Sequence, residues 1–80
     1  MKANDVFANL TDRESTILSQ LSQGYANKEI AVNLSIAVPT VRTHLSHIYE
    51  KIQVGSRTEA VFKYLTFPRF ETKTITSGQN

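Results

Sequence analysis

The chain has no cysteine. Disulfides and thiolate metal sites are therefore excluded, and the composition suits a reducing compartment. It has no apolar run near the ~20 residues a membrane span requires, and Met1-Lys2-Ala3-Asn4-Asp5 lacks the apolar centre of a signal peptide. A cytoplasmic, non-membrane protein is expected. Charge of one sign is also scarce: nine Lys and Arg against seven Asp and Glu leave a net +2. That is far from the excess of a histone-like protein, so the balance leans toward an anionic partner without identifying one. There is no glycine-rich phosphate loop, no cysteine nucleophile and no acid pair set in an evident pocket, so enzyme chemistry has no foothold and no cofactor is called for. At 80 residues with 40% hydrophobic content, one small domain around a single modest core is expected.

What is present centres on residues 27–52. Ile30, Ala31 and Leu34 lie at helical spacing, and after a very short break Val41, Leu45, Ile48, Tyr49 and Ile52 recur as a second helical stripe. Two amphipathic helices joined so closely form a helix-turn-helix pattern. On the second helix, expected over 38–52, the opposite face holds Pro39, Thr43, Ser46, His47 and Glu50, with Arg42 and His44 on its flanks. Between Ala31 and Tyr49 the only formal charge is Arg42, and no acid precedes Glu50 on the second helix. A helix anchored by one face that presents short polar groups and an arginine on the other has the chemistry of a major-groove reader.

Around this pair the chain reads in order. Residues 1–9 show no clear periodicity and read as a flexible lead-in, although Val6 and Phe7 can cover one end of the core. Thr11-Asp12-Arg13-Glu14 is a capping box that starts a helix over about Asp12 to Gln23, with Ile17, Leu18 and Leu21 inward and Gly24 where a left-handed residue ends it. Ala26 and Ala37 stand at the next two cap positions without a side-chain oxygen, which costs about 1 kcal/mol each. Asn27 is expected to take over the first of these caps, and Pro39 pre-sets the backbone angle of the third helix. Ser56-Arg57-Thr58-Glu59 is a second capping box, launching a fourth helix that ends before Pro68 with Ala60, Val61 and Tyr64 inward and Phe62 outward. Residues 10–66 thus form the expected domain, all-α and four-helical, and the Thr-, Ser- and Gln-rich segment 67–80 is expected to be a disordered tail.

From Leu10 to about Leu65 the chain resembles the LuxR-type helix-turn-helix domain, also found at the C-terminus of NarL/FixJ-class response regulators. The likeness lies in Leu10-Thr11-x-Arg13-Glu14, Ile17-Leu18-x-x-Leu21-x-x-Gly24 and Asn27-Lys28-Glu29-Ile30-Ala31-x-x-Leu34-x-Ile36. It continues through Thr40-Val41-Arg42-Thr43-His44-Leu45-x-x-Ile48-Tyr49-x-Lys51-Ile52-x-Val54 and Arg57-Thr58-Glu59-Ala60-Val61, in order and correctly spaced. The resemblance implies a transcriptional regulator that binds double-stranded DNA, with the third helix in the major groove, the second across the backbone and the fourth pairing two copies. Carried over residue by residue, it makes Arg42 and Thr43 groove contacts, with Ser46 and His47 as further reading positions. Lys28 becomes a phosphate contact with Asn27 and Thr40 beside it, and Phe62 and Lys63 fall on the dimerisation helix. Two departures stand out: hydroxyl residues are usual at Ala26 and Ala37, and a longer, basic residue is common at Ser46. Both imply weaker binding or more reliance on a partner and on dimerisation. With Met1 as the natural start, the chain would be a standalone regulator similar to the small spore-coat regulators of the family. With Met1 as a cut boundary, a preceding regulatory domain is expected.

Two rival readings are set beside this one. His44-x-x-His47-x-x-Glu50 offers three potential metal ligands, but at helical spacing His44 and Glu50 lie about 120° apart, so no metal is assigned. The other rival is a protein-interaction module on the same scaffold, binding RNA polymerase or another regulator with little DNA affinity of its own.

Overall fold

The computed structural model describes residues 5–67, which form four α-helices and one short 3-10 helix with no strand among the described residues. The helices are α1 (Asp12–Ser22), α2 (Asn27–Leu34), α3 (Val38–Ile52) and α4 (Arg57–Thr66), preceded by the 3-10 helix Val6–Asn9. The all-α, four-helix architecture expected from the pattern is the observed one. No helix among the described residues is long and apolar enough to cross a membrane.

Each helix contributes one stripe to a common core. Ile17, Leu18 and Leu21 of α1 meet Ile30 and Ala31 of α2, Val41, Leu45, Ile48 and Ile52 of α3, and Ala60 of α4, all buried. Val61 and Tyr64 of α4 are half-buried against the same cluster. The long α3 touches every other element, so the core holds it by one side along its length.

The helix starts follow their cap chemistry. The Thr11 hydroxyl accepts from Glu14 N–H at 3.1 Å while Glu14 Oε1 accepts from Thr11 N–H at 2.9 Å, which completes the first capping box. At α2 the expectation for Asn27 is corrected. Ala26 is the N-cap with no side-chain bond, and Glu29 Oε1 takes the Ala26 N–H at 2.7 Å, so half a box forms without any oxygen from Asn27. At α4 the Ser56 hydroxyl accepts from Glu59 N–H at 3.2 Å, but Glu59 Oε1 accepts from Gly55 N–H rather than from Ser56, so this box is displaced by one residue.

Three helices end in the same way, with the chain reversing through a positive φ: Gly24 at 98°, Ser35 at 57° and Gln53 at 62°. In each, the N–H after the reversal returns six residues' span to the helix: Tyr25 to Gln20 O at 3.2 Å, Ile36 to Ala31 O at 3.0 Å, Val54 to Tyr49 O at 2.9 Å. This is the Schellman closure. The second of these builds the turn between α2 and α3 from Ser35, Ile36 and Ala37, with Ile36 packed onto the core.

The lead-in is corrected in part. Asp5 accepts from Phe7 N–H at 3.1 Å and starts the 3-10 helix, and the Phe7 ring meets Tyr64 and Phe67 edge-on with centroids 5.8 and 5.0 Å apart. Aromatic burial across the two ends of the domain outweighs the lack of local periodicity. Phe67, drawn at the start of the tail, therefore belongs to the packed domain. The reading of residues 68–80 as disordered falls outside the described residues.

Candidate nucleic-acid interface

Helix α3 is held by Val41, Ile48 and Ile52 at 0% exposure and Leu45 at 5%. Thr40, Arg42, Thr43, Ser46 and His47 are exposed on the opposite side, within about 160° of arc at 3.6 residues per turn. His44 is half-buried on one flank. Pro39 falls in the first turn, where no hydrogen bond is lost. The Thr43 hydroxyl donates to Pro39 O at 3.1 Å, so its one hydrogen is engaged while the oxygen can still accept.

The exposed face has two edges. Arg42, Ser46 and Tyr49, at i, i+4 and i+7, form the edge turned toward the starts of α2 and α4, where a depression of about 340 Å³ is lined by Asn27, Arg42, Leu45, Ser46, Tyr49 and Arg57. Thr40, Thr43 and His47 lie along the other edge. Asn27 is half-buried at the first position of α2; its Oδ1 accepts from Arg57 Nη1 at 2.8 Å, which leaves its amide N–H groups as donors. Arg57 Nη2 also donates to Tyr25 O at 2.6 Å. Lys28 is exposed in the first turn of α2. Partial burial pushes the Tyr49 phenol up from its ordinary value despite the opposing charge of Arg57, so at neutral pH it is an uncharged donor.

Sequence reasoning assigned Arg57 only to a capping box and did not place it or Tyr49 at this edge. One signal was available. A cation at the first position of a helix opposes the macrodipole, so an arginine there is held by something other than its own helix.

At α4, Phe62 and Leu65 are exposed at 68% and 65%. Phe62 borders a shallow groove of about 490 Å³ together with Gln53, Val54, Thr58 and Thr66. Lys63, assigned with Phe62 to dimerisation, donates from Nζ to Ile52 O at 2.9 Å, so its ammonium caps the end of α3 within the same chain. Among the described residues no three of His, Cys, Asp and Glu come together in a metal-binding group.

A three-residue turn between α2 and α3, with α3 anchored by one face and polar on the other, defines a helix-turn-helix domain. The chain belongs to the luxR family of bacterial regulatory proteins, whose family pattern matches residues 8–64. It is 43% identical over 60 residues to the response regulator protein VraR of Staphylococcus aureus (strain NCTC 8325 / PS 47). The identity is the same, 43% over 60 residues, to the response regulator protein VraR of Staphylococcus epidermidis (strain RP62A). In both, the alignment covers 75% of this chain and 29% of the relative, so the chain spans under a third of the length of these proteins.

Proposed function

We propose that the chain is a sequence-specific, double-stranded DNA-binding transcriptional regulator that inserts α3 into the major groove. The observation that carries this is the division of α3: Val41, Leu45, Ile48 and Ile52 buried, with Arg42, Thr43, Ser46 and His47 exposed opposite them and no carboxylate on the helix before Glu50. In this reading Arg42 takes the guanine edge, Thr43 a thymine methyl or an amine, and Ser46 and His47 the neighbouring positions. Lys28, Thr40 and the amide of Asn27 hold backbone phosphates and set the register. Family membership supports a regulatory role, and so do the relatives, which are response regulators. Two copies pair on DNA through α4, where Phe62 and Leu65 offer exposed apolar surface, and this places equivalent reading helices about 10 base pairs apart.

The test is selection of bound fragments from genomic DNA, followed by mobility shifts over a range of KCl. Selective binding whose log K falls linearly with log salt supports DNA recognition. Failure to enrich any sequence, with no salt-sensitive shift, contradicts it and points to a protein partner such as RNA polymerase or another regulator.

A further inference from the structure

Arg57 is a cation that the reading helix does not account for. It opens α4, where the helix dipole disfavours positive charge, and its two hydrogen bonds go to neutral oxygens, Asn27 Oδ1 at 2.8 Å and Tyr25 O at 2.6 Å. A guanidinium has five N–H donors, so these bonds leave part of the fork open on a half-buried side chain. Arg57 lines the depression together with Asn27, Arg42, Ser46 and Tyr49, and no carboxylate is among the described residues that line it. Two guanidiniums, two hydroxyls and an amide around one depression without an acid make a donor set for a tetrahedral anion, and a guanidinium fork matches two phosphate oxygens at once. Arg42 and Ser46 belong to both the depression and the exposed face of α3, so an anion seated here lies at the rim of whatever that face reads.

We propose that Arg57, beside the base-reading Arg42, holds one backbone phosphate of the bound DNA in this depression. This inference rests on the DNA reading given above and adds a contact from α4 to it. Arg57 thereby has two tasks: it braces the first turn of α2, which carries Lys28, and it anchors the duplex at the Arg42 edge of the groove. The bond from Arg57 to Asn27 ties the fourth helix to the second while the phosphate is held.

The test measures binding of the full chain to a selected duplex and to a scrambled one by fluorescence anisotropy across a series of KCl concentrations. Arg57→Gln lowers the salt slope by about 0.9, the value for one phosphate, and weakens both duplexes alike. Arg57→Lys keeps the charge but not the fork, and retains the slope. An unchanged slope in Arg57→Gln overturns the proposal, as does an equal loss of slope in Arg57→Lys, since a purely bracing role would be lost in both. Should Arg57→Gln fail to fold, the Arg57 Nε–H resonance of the unaltered protein gives the answer. It shifts on titration with duplex and not with inorganic phosphate at the same phosphate concentration. No shift with duplex, or an equal shift with free phosphate, overturns the assignment to DNA. A chain that binds no duplex at all removes the DNA reading itself, whereas normal binding with an unaltered Arg57→Gln slope removes only this contact.

Discussion

Lys51 Nζ, in the last turn of α3, donates to Glu14 Oε1, in the first turn of α1, at 2.8 Å. The same oxygen accepts the Thr11 N–H, so one buried carboxylate both closes the cap of α1 and ties it to the end of α3. Burial pushes the Glu14 carboxyl up, but the hydrogen bonds from Lys51 and Thr11 and the charge of Lys51 outweigh it and hold the group below its ordinary 4.5. Each partner also sits at the helix end whose dipole favours its charge.

Because the folded carboxyl titrates below its unfolded value, its stabilisation is fully present above about pH 4.5 and is lost as pH falls through the folded pKa. Glu14→Gln should lower stability by about 1–2 kcal/mol at neutral pH, the charged part of the bond being partly screened by the water around Lys51. Urea melts at pH 7 and pH 3 measure this. The gap between the two proteins should narrow at pH 3, and a gap of the same size at both values would show that the charge of Glu14 contributes nothing.

The helix ends offer gains. Ala37 has the extended backbone of an N-cap and no side-chain bond; the Thr40 N–H donates to Ala37 O at 3.0 Å, and a serine hydroxyl sharing that donor in Ala37→Ser should stabilise the domain by about 0.5–1 kcal/mol. Gln53 holds a left-handed φ of 62° with a side chain attached, and Gln53→Gly should add about 0.5–1 kcal/mol. Thermal melts of the two variants and their combination check both, with near-additive shifts expected because the sites lie at opposite ends of α3.

These ends also mark where the sequence was readable and where it was not. Thr11-x-x-Glu14, Gly24 and the Val41–Leu45–Ile48–Ile52 stripe each carry a local signature, and the first and third helices were legible from them to within a residue. Ser35 and Gln53 close their helices as Gly24 does, but no glycine announces them, because the returning hydrogen bonds and the packed Ile36 and Val54 offset the strain. The 3-10 helix is too short to show a period and exists through the contacts of Phe7 with Tyr64 and Phe67. For the site, which α3 residues face outward was legible from periodicity. The partners of Asn27, Arg57 and Lys63 were not, since they lie 30, 32 and 11 residues apart along the chain.

Phe62 is the main exposed aromatic surface of α4, bordering the groove beside Val54 and Thr58. Phe62→Lys should leave the melting temperature nearly unchanged, because the ring touches little of the core, and should abolish cooperative filling of paired half-sites while sparing a single half-site. Sedimentation on one-site and two-site duplexes measures this. Undiminished cooperativity would exclude pairing through α4.

The most direct test of base reading by α3 is competition binding of Arg42→Ala and Lys28→Ala on a selected duplex and a scrambled one. Arg42→Ala should lose about 1–3 kcal/mol chiefly on the selected duplex, while Lys28→Ala should weaken both equally and flatten the salt slope by about one unit. Equal losses on the two duplexes for Arg42→Ala would contradict base reading by this helix.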